Sequence, residues 1–424
     1  LIGDVKWPML PTSQETEICM ANKKIHLGIA GLGRGFSVML PTLAMYPGLA
    51  VLAAADTREE ARRRFESDFG GTAYETIKQL CDDDRLDAIY VATPHQFHEE
   101  HVIAAAAAGK HVLVEKPMAL TVESCTRMIE AAEKAGVHIV VGHSHSFDAP
   151  ILAARRLIAA GRFGPVKMIT AINYTDFIYR PRRPEELDSA QGGGVVFSQG
   201  AHQVDIVRLL AGGMARSVTA VTGDWDVSRP TEGAYTALIK FADGAFANLT
   251  YNGYGRFDTD EFTGWIGEMG REKSPDIYGA SRDALTRIRD PHAEAAFKAS
   301  RAYGGPDGAA LPPSDFMRGK THEHFGVFVA SCAGGDIRPL PSRLELYGEK
   351  RETIPLVPPA VPREEVIDEL YAAVIDGAAP LHSGEWGRAT LEVCLAILES
   401  ARLGKEIDLA FQVPVRDAPD GERL

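Results

Sequence analysis

Residues 25–35 read Ile25-His26-Leu27-Gly28-Ile29-Ala30-Gly31-Leu32-Gly33-Arg34-Gly35, and a helix-forming stretch follows from Phe36 to Tyr46. An apolar run, a glycine turn and a helix in that order are the opening unit of a doubly wound sheet. Outward from it, Leu49 to Ala55 is a second apolar run ending at Asp56, and Thr57 to Phe69 has the charged pattern of a surface helix. Further on come a helical stretch around Tyr74 to Leu80, a strand Ala88 to Ala92 stopped by Thr93-Pro94, a helix Phe97 to Ala108 closed by Gly109, and a strand His111 to Val114. Thr121 can cap a helix Val122 to Ala135, Gly136 can end it, and Val137 to Val141 is β-branched. This alternation predicts a parallel, doubly wound Rossmann sheet over residues 23–148.

The pattern changes after Pro150. One helix, Ile151 to Ala160, precedes β-rich runs at Val166 to Tyr174, Val218 to Thr222, Tyr235 to Phe241, Ala245 to Tyr251 and Arg343 to Leu356, with a hairpin signal at Ala242-Asp243-Gly244. The fold class is therefore α/β, with a second α+β domain over 149–410 built on an open, mainly antiparallel sheet. Arg271 to Gly319 reads as an inserted loop region, and Glu364 to Ile375 and Trp386 to Ala401 as a last helix pair. Residues 1–22 and 411–424 read as an extension and a tail.

With 424 residues, 45% apolar and 24% charged, the chain has the composition of a globular protein of two or three domains. Its 58 acids against 45 bases leave a net charge of −13, which argues against nucleic acid and requires a local basic cluster for any anionic ligand. Apolar stretches such as Val102 to Ala108 fall far short of the about 20 residues of a membrane span. The five cysteines include no C-x-x-C pair, which points to a reducing cytoplasm without a thiolate metal site. The segment Asp4 to Lys24 lacks the basic start and apolar core of a signal peptide, and Met20 is a candidate start.

Glycine lets backbone approach a pyrophosphate, whose charge then meets the positive end of the next helix, here at Arg34. Gly31 and Gly33 match the first two glycines of a dinucleotide fingerprint; the third position falls at Phe36, with Gly35 one place early. Asp56, with Thr57 after it, stands where an acid binds the ribose hydroxyls. A carboxylate there favours NAD over NADP, although Arg58 leaves NADP possible.

The segments Val91-Ala92-Thr93-Pro94-His95-Gln96-Phe97-His98 and Gly109-Lys110-His111-Val112-Leu113-Val114-Glu115-Lys116-Pro117 carry a T-P-x-x-x-H turn and an E-K-P motif. Together with Gly192-Gly193-Gly194, Gly200-Ala201-His202-Gln203-Val204-Asp205 and the stretch Gly377 to Ile407, the chain resembles the glucose-fructose oxidoreductase/inositol dehydrogenase/MocA (Gfo/Idh/MocA) family over nearly its whole length. The resemblance implies a nucleotide domain joined to an open-sheet domain, self-association into a homo-oligomer, and oxidation or reduction of hydroxyl and carbonyl groups. It implies that Lys116 is the active-site lysine, that His202 and Asp205 match a family histidine and aspartate, and that Thr93, Pro94, His98 and Glu115 lie on the cofactor side. The residues by themselves agree on Lys116: a lysine at the carboxyl end of a parallel strand points into the ligand crevice, where desolvation lowers its pKa. His202 and Asp205, three apart on a helix, would share a face, so the carboxylate could orient the imidazole. A buried structural histidine is the plainer alternative.

Ser198 stands where the family pattern has an aspartate, which moves the proton relay toward Lys116 and His202, or toward His143 or His145. His143-Ser144-His145 and His322-Glu323-His324 suggest a metal site, but no third ligand is identifiable in the sequence, and no metal is expected. Arg180, Arg182 and Arg183 lie in a proline-stiffened loop where arginine forks could grip carboxylates; a solvated loop paired with Glu185 and Glu186 is the alternative. This loop, the turn Gly33 to Thr42, and Gly194 to Gln199 resemble the phthalate 4,5-cis-dihydrodiol dehydrogenase branch. That implies a small anionic cyclic diol as substrate, met by Arg180, Arg182, Arg183, His143, His145, Gln199 and Asp205. Sugar, inositol or glycoside oxidation and a non-catalytic nucleotide sensor are the competing readings.

Overall fold

The computed structural model describes residues 23–416 apart from 278, 289 and 309–319. The expected extension with Cys19 and Met20, the end of the tail and part of the inserted region lie outside the described residues. Six strands, β1 (Ile25–Ala30), β2 (Leu49–Ala55), β3 (Thr72–Tyr74), β4 (Ala88–Val91), β5 (His111–Val114) and β6 (Ile139–Val141), pair in parallel in the order β3-β2-β1-β4-β5-β6. Between them run α1 (Arg34–Met45), α2 (Glu59–Phe69), α3 (Ile77–Cys81), α4 (His98–Ala107) and α5 (Val122–Ala135). Thr121 accepts from Ser124 N to start α5, and Gly136, at φ +68°, ends it as expected. The strand order reverses between β1 and β4, which opens a crevice beyond their carboxyl ends.

After α6 (Ala149–Ala159) comes a nine-stranded sheet: β7 (Val166–Tyr174), β8 (Ala215–Gly223), β9 (Ala234–Phe241), β10 (Phe246–Asn252), β11 (Val327–Cys332), β12 (Gly335–Leu340), β13 (Arg343–Tyr347), β14 (Arg351–Pro355) and β15 (Ile407–Asp408). Its order is β14-β13-β12-β11-β7-β10-β9-β8-β15, antiparallel except that β7 and β10 run parallel. The helix α7 (Ala201–Ala211) lies in the core against this sheet, every residue from Ala201 to Leu210 being buried.

Three local readings change. Tyr74 ends a strand, because Thr76 and Gln79 cap each other reciprocally and delay α3 until Ile77. The run Arg343 to Leu356 is two strands turning at Gly348, whose N–H bonds Lys350 O at 3.2 Å. The inserted region is not all loop: it holds α8 (Ala280–Thr286) and α9 (Pro291–Ser300), the latter capped by Asp290 through His292 N and Ala293 N.

Two later segments return to the first sheet. The helix α10 (Glu364–Ile375) buries Val366, Ile367, Leu370 and Tyr371 in one core with Ile25, Leu27 and Leu43. At about 1.5–3 kcal/mol per buried aliphatic side chain, the three aliphatic ones alone contribute at most about 5–9 kcal/mol. The helix α11 (Gly384–Leu403) reaches both units because Gly387 has no Cβ, which would sit 2.7 Å from Val141 Cγ2. The inserted region also docks there: Tyr303 stacks edge-on against Phe36 at 4.9 Å and donates to Asp68 Oδ2 at 2.8 Å.

Candidate active site

The glycine turn is built for close approach. Gly31 adopts φ +92°, and a Cβ there would meet Thr93 Cγ2 at 2.9 Å and Ala92 O at 3.0 Å. Gly33 starts α1 with no side-chain cap, which leaves the first amides of the helix and the Arg34 side chain for an anion. The third glycine's task, tight helix packing, falls to Gly35, whose missing Cβ would lie 3.0 Å from Glu115 Cγ. Phe36 corrects one expectation: its ring is fully buried between Phe69 and Tyr303, so it is a core residue rather than a cofactor contact.

Asp56 ends β2 as expected and accepts from Leu32 N at 2.8 Å, which braces the turn. Its other oxygen accepts from Arg58 N at 2.8 Å and Arg58 Nε at 3.1 Å. The Arg58 guanidinium also donates to Leu32 O at 2.8 Å and Tyr303 O at 3.2 Å, so it is spoken for. Thr57 is exposed beside them.

The two family turns are tied by a histidine. His98 is fully buried, its Nε2 2.8 Å from Thr93 O and its Nδ1 3.2 Å from both Pro117 O and Met118 O. Expected on the cofactor side, His98 instead clasps the two turns together, and burial lowers its pKa. Thr93 Oγ1 pairs with His101 Nδ1 at 3.0 Å, and Pro94 leads into the short turn His95–Phe97. Glu115 lies under α1 and accepts from Tyr90 Oη; desolvation raises its pKa.

Lys116 Nζ donates to the backbone carbonyl of Ser198 at 2.6 Å, while the Ser198 hydroxyl turns back to Gly194 O at 2.6 Å. The position that lacks the family aspartate thus holds the lysine through its main chain. Burial lowers the Lys116 pKa, against the pull of Glu115 and Glu268. Gln199 is buried and donates to the same Ser198 O at 3.1 Å.

His202 is buried, with its ring 4.7 Å from His145 and 4.8 Å from Phe325. Burial and then Lys116 push its pKa well below the usual imidazole value. Its Nδ1 accepts from His145 N at 3.4 Å, which assigns the proton of the neutral ring to Nε2. The expected pairing with Asp205 does not form. Asp205 accepts from Ser146 Oγ at 2.5 Å, Trp386 Nε1 at 2.5 Å and Thr390 Oγ1 at 3.0 Å, so it braces the surroundings instead of orienting the imidazole or meeting substrate.

His145 Nδ1 lies 2.8 Å from Asp148 Oδ2, and its Nε2 lies 3.5 Å from Glu268 Oε1. Burial opposes its charge, but Asp148 and Glu268 outweigh it and raise the pKa to about 9. His143, next to it, is pushed down to about 4 by burial and then by Arg363. The premise against a metal centre does not survive the fold, because Asp148 and Glu323 join these histidines as buried neighbours. His322 and His324, by contrast, bond backbone carbonyls of Val357 and Ile266, each at 2.7 Å.

The three arginines of the proline loop diverge. The Arg180 guanidinium lies 3.8 Å from Glu268 Oε2 and 5.3 Å over the Phe177 ring. Arg182 stacks on Phe177 at 3.7 Å and donates to Phe177 O, a packing role that removes it from the expected grip. Arg183 pairs with Glu185 at 3.1 Å and Glu186 at 3.5 Å, as the solvated alternative described. The sequence reading missed Arg363, whose side chain is 8% exposed and which is bidentate on Glu323 at 2.9 Å, and Glu268, which links His145 to Arg180. No local motif marks either one; only the fold brings them to His143 and His145.

Residues 25–143 match the model of the oxidoreductase family with an NAD-binding Rossmann fold, and residues 151–270 match the GFO/IDH/MocA C-terminal domain. The chain is 45% identical over 383 residues to a 1-carboxy-3-chloro-3,4-dihydroxycyclohexa-1,5-diene dehydrogenase of Comamonas testosteroni, covering 89% of this chain and 95% of that protein. It is 26% identical over 253 residues to a myo-inositol 2-dehydrogenase of Thermotoga maritima, covering 58% of this chain and 74% of the relative. A crystal structure from Bordetella bronchiseptica RB50 superposes with TM-score 0.85 at 39% identity, covering 91% of this chain and all (100%) of that one.

Proposed function

The chain belongs to the Gfo/Idh/MocA family of NAD-binding oxidoreductases, and from that premise we propose that it dehydrogenates a carboxylated cyclic cis-diol, phthalate 4,5-cis-dihydrodiol, to 4,5-dihydroxyphthalate. The observation that carries this reading is the desolvated pair Lys116 and His202 with Arg180 nearby, reached through Glu268 and His145. The Comamonas relative, whose name gives it a carboxylated cyclic diol, supports it. NAD+, when bound, would supply the acceptor for the hydride of the carbinol carbon. Gly31, Gly33, the start of α1 and Arg34 would hold its pyrophosphate, since no side chain caps the first amides of α1, and Asp56 at the end of β2 would meet its ribose hydroxyls. His202 Nε2–H donates to the carbinol oxygen, and Lys116 Nζ, whose pKa burial lowers, takes the hydroxyl proton in its neutral form. Tautomerisation of the enone to a catechol drives the reaction forward.

The same reading has the enzyme act in the cytoplasm, with Cys81, Cys125, Cys332 and Cys394 free thiols, and as a homo-oligomer through the outer face of the second sheet, where Leu238 and Phe246 are exposed. Among the described residues no helix is long and apolar enough to cross a membrane.

The test is NAD+ reduction with the phthalate diol, its monocarboxylate analogue and neutral polyols. Arg180→Ala should raise KM for the dicarboxylate by about 10- to 150-fold, the range of one charge-assisted hydrogen bond, while Arg183→Ala leaves it unchanged. Turnover of polyols alone would replace the reading with a sugar dehydrogenase, and NADH binding without any turnover would replace it with a sensor.

A further inference from the structure

We propose that His143, His145, Asp148 and Glu323 form a binding site for one divalent first-row transition-metal cation, of which zinc is the type, beside His202. One ligand atom from each of the four lies within 4.8 Å of all the others, and all four residues are buried. The measured separations are 2.8 Å between His145 Nδ1 and Asp148 Oδ2, 3.5 Å between His143 Nε2 and Asp148 Oδ1, and 3.9 Å between His143 Nε2 and Glu323 Oε2. Four ligands at about 2.0–2.1 Å around a tetrahedral ion stand about 3.3 Å apart, so the four ligand atoms, now within 4.8 Å of one another, would draw together around the ion by side-chain movement.

A second observation points the same way. His143 is 4% exposed, yet its Nε2 has no hydrogen-bond partner among the described residues and is directed between two carboxylates. A buried imidazole nitrogen left unpaired is costly, and a metal–nitrogen bond would satisfy it. Two imidazoles with two carboxylates suit zinc, iron(II) or manganese(II) rather than a hard oxygen-only ion. Arg363 donates to both oxygens of Glu323 at 2.9 Å, Oε2 included, and would remain the outer partner of that carboxylate when Oε2 also meets the metal. The ligands come from the β6–α6 turn and from the approach to β11, so the ion would tie the crevice wall to the segment that follows the inserted region. A fifth position would accept a hydroxyl or carboxylate oxygen of the substrate, next to His202.

The test uses the full chain, stripped with chelator and titrated calorimetrically with Zn2+, and separately reconstituted with Co2+ for visible absorption. The expected result is one Zn2+ per chain with micromolar or tighter affinity, weakened at least about 100-fold in His143→Gln and in Asp148→Asn and unchanged in Arg183→Ala. Co2+ in the wild-type chain should give the intense bands of a four- or five-coordinate site, which decides the matter even if a variant fails to fold. No uptake of Zn2+, a weak octahedral Co2+ spectrum, or uptake unaffected by both substitutions would overturn the proposal and leave the cluster an ion-pair network. Because the readout is metal binding, its outcome is independent of whether the diol reading holds.

Discussion

Asp205→Ala separates a bracing carboxylate from a catalytic one. Asp205 is 4% exposed and accepts from three buried donors, Ser146 Oγ, Trp386 Nε1 and Thr390 Oγ1. Ser146 can keep one partner, because His382 Nε2 lies 2.9 Å away, while Thr390 already accepts from Arg208 at 2.7 Å and Trp386 Nε1 has no other bond among the described residues. Two donors therefore lose their acceptor outright and a third is weakened. At about 1–3 kcal/mol for each buried unpaired donor, the variant should lose about 3–5 kcal/mol, the range for breaking a buried charged contact. Asp205→Asn keeps one carbonyl oxygen for Trp386 and should lose about half as much. Urea unfolding followed by tryptophan fluorescence gives the stability, and kcat on the folded fraction at low temperature gives the chemistry. A loss below about 1 kcal/mol, or a folded Asp205→Ala enzyme with kcat down more than about 100-fold, would refute the bracing role.

Lys116→Ala should cut kcat by about 10²- to 10⁴-fold with NAD affinity nearly unchanged, as steady-state kinetics and NADH fluorescence titration would report. Because burial lowers the Lys116 pKa and the reaction consumes the neutral amine, wild-type oxidation should rise with pH and level off below the ordinary lysine value; a flat profile would remove Lys116 as the base. NAD+ should bind at least tenfold more tightly than NADP+, and Arg58→Ala should not change the ratio, since Arg58 is already held by Asp56, Leu32 O and Tyr303 O. Asp83 is held down to about 2, mainly by hydrogen bonds from Arg85, so its stabilising effect is complete above about pH 4 and fades as pH falls toward 2. The stability difference between wild type and Asp83→Asn in urea melts should therefore shrink from pH 5 to pH 3.

The nucleotide-binding half was legible because its signals are local: an apolar run, a glycine that only a left-handed turn explains, and caps at Thr121 and Gly136. The strands β11 and β12 were missed because intermediate burial blurs their alternation, as in Val327 and Val329. The Asp205 reading failed for a physical reason. Helical spacing assigns a shared face, but α7 is buried on every side, so a shared face does not select a partner. The arginine loop failed differently: Arg180 and Arg182, two apart, share the Phe177 ring, Arg183 turns to Glu185 and Glu186, and only Arg180 also meets Glu268, partners that composition does not show. Arg363 lies 161 residues beyond His202, from the subtraction of their numbers, and no spacing rule reaches that far.

The return of α10 to the first sheet sets an order of events during synthesis. Strand β1 leaves the ribosome early, yet its core partners Val366, Ile367 and Leu370 are made more than 300 residues later. At about 5–20 residues per second, the nascent nucleotide domain waits roughly 15–65 s with that apolar face uncovered. During this interval Ile25, Leu27 and Leu43 are open to chaperones and to neighbouring nascent chains. A chain cut before residue 364 would therefore be expected to aggregate even though its β-α alternation is complete.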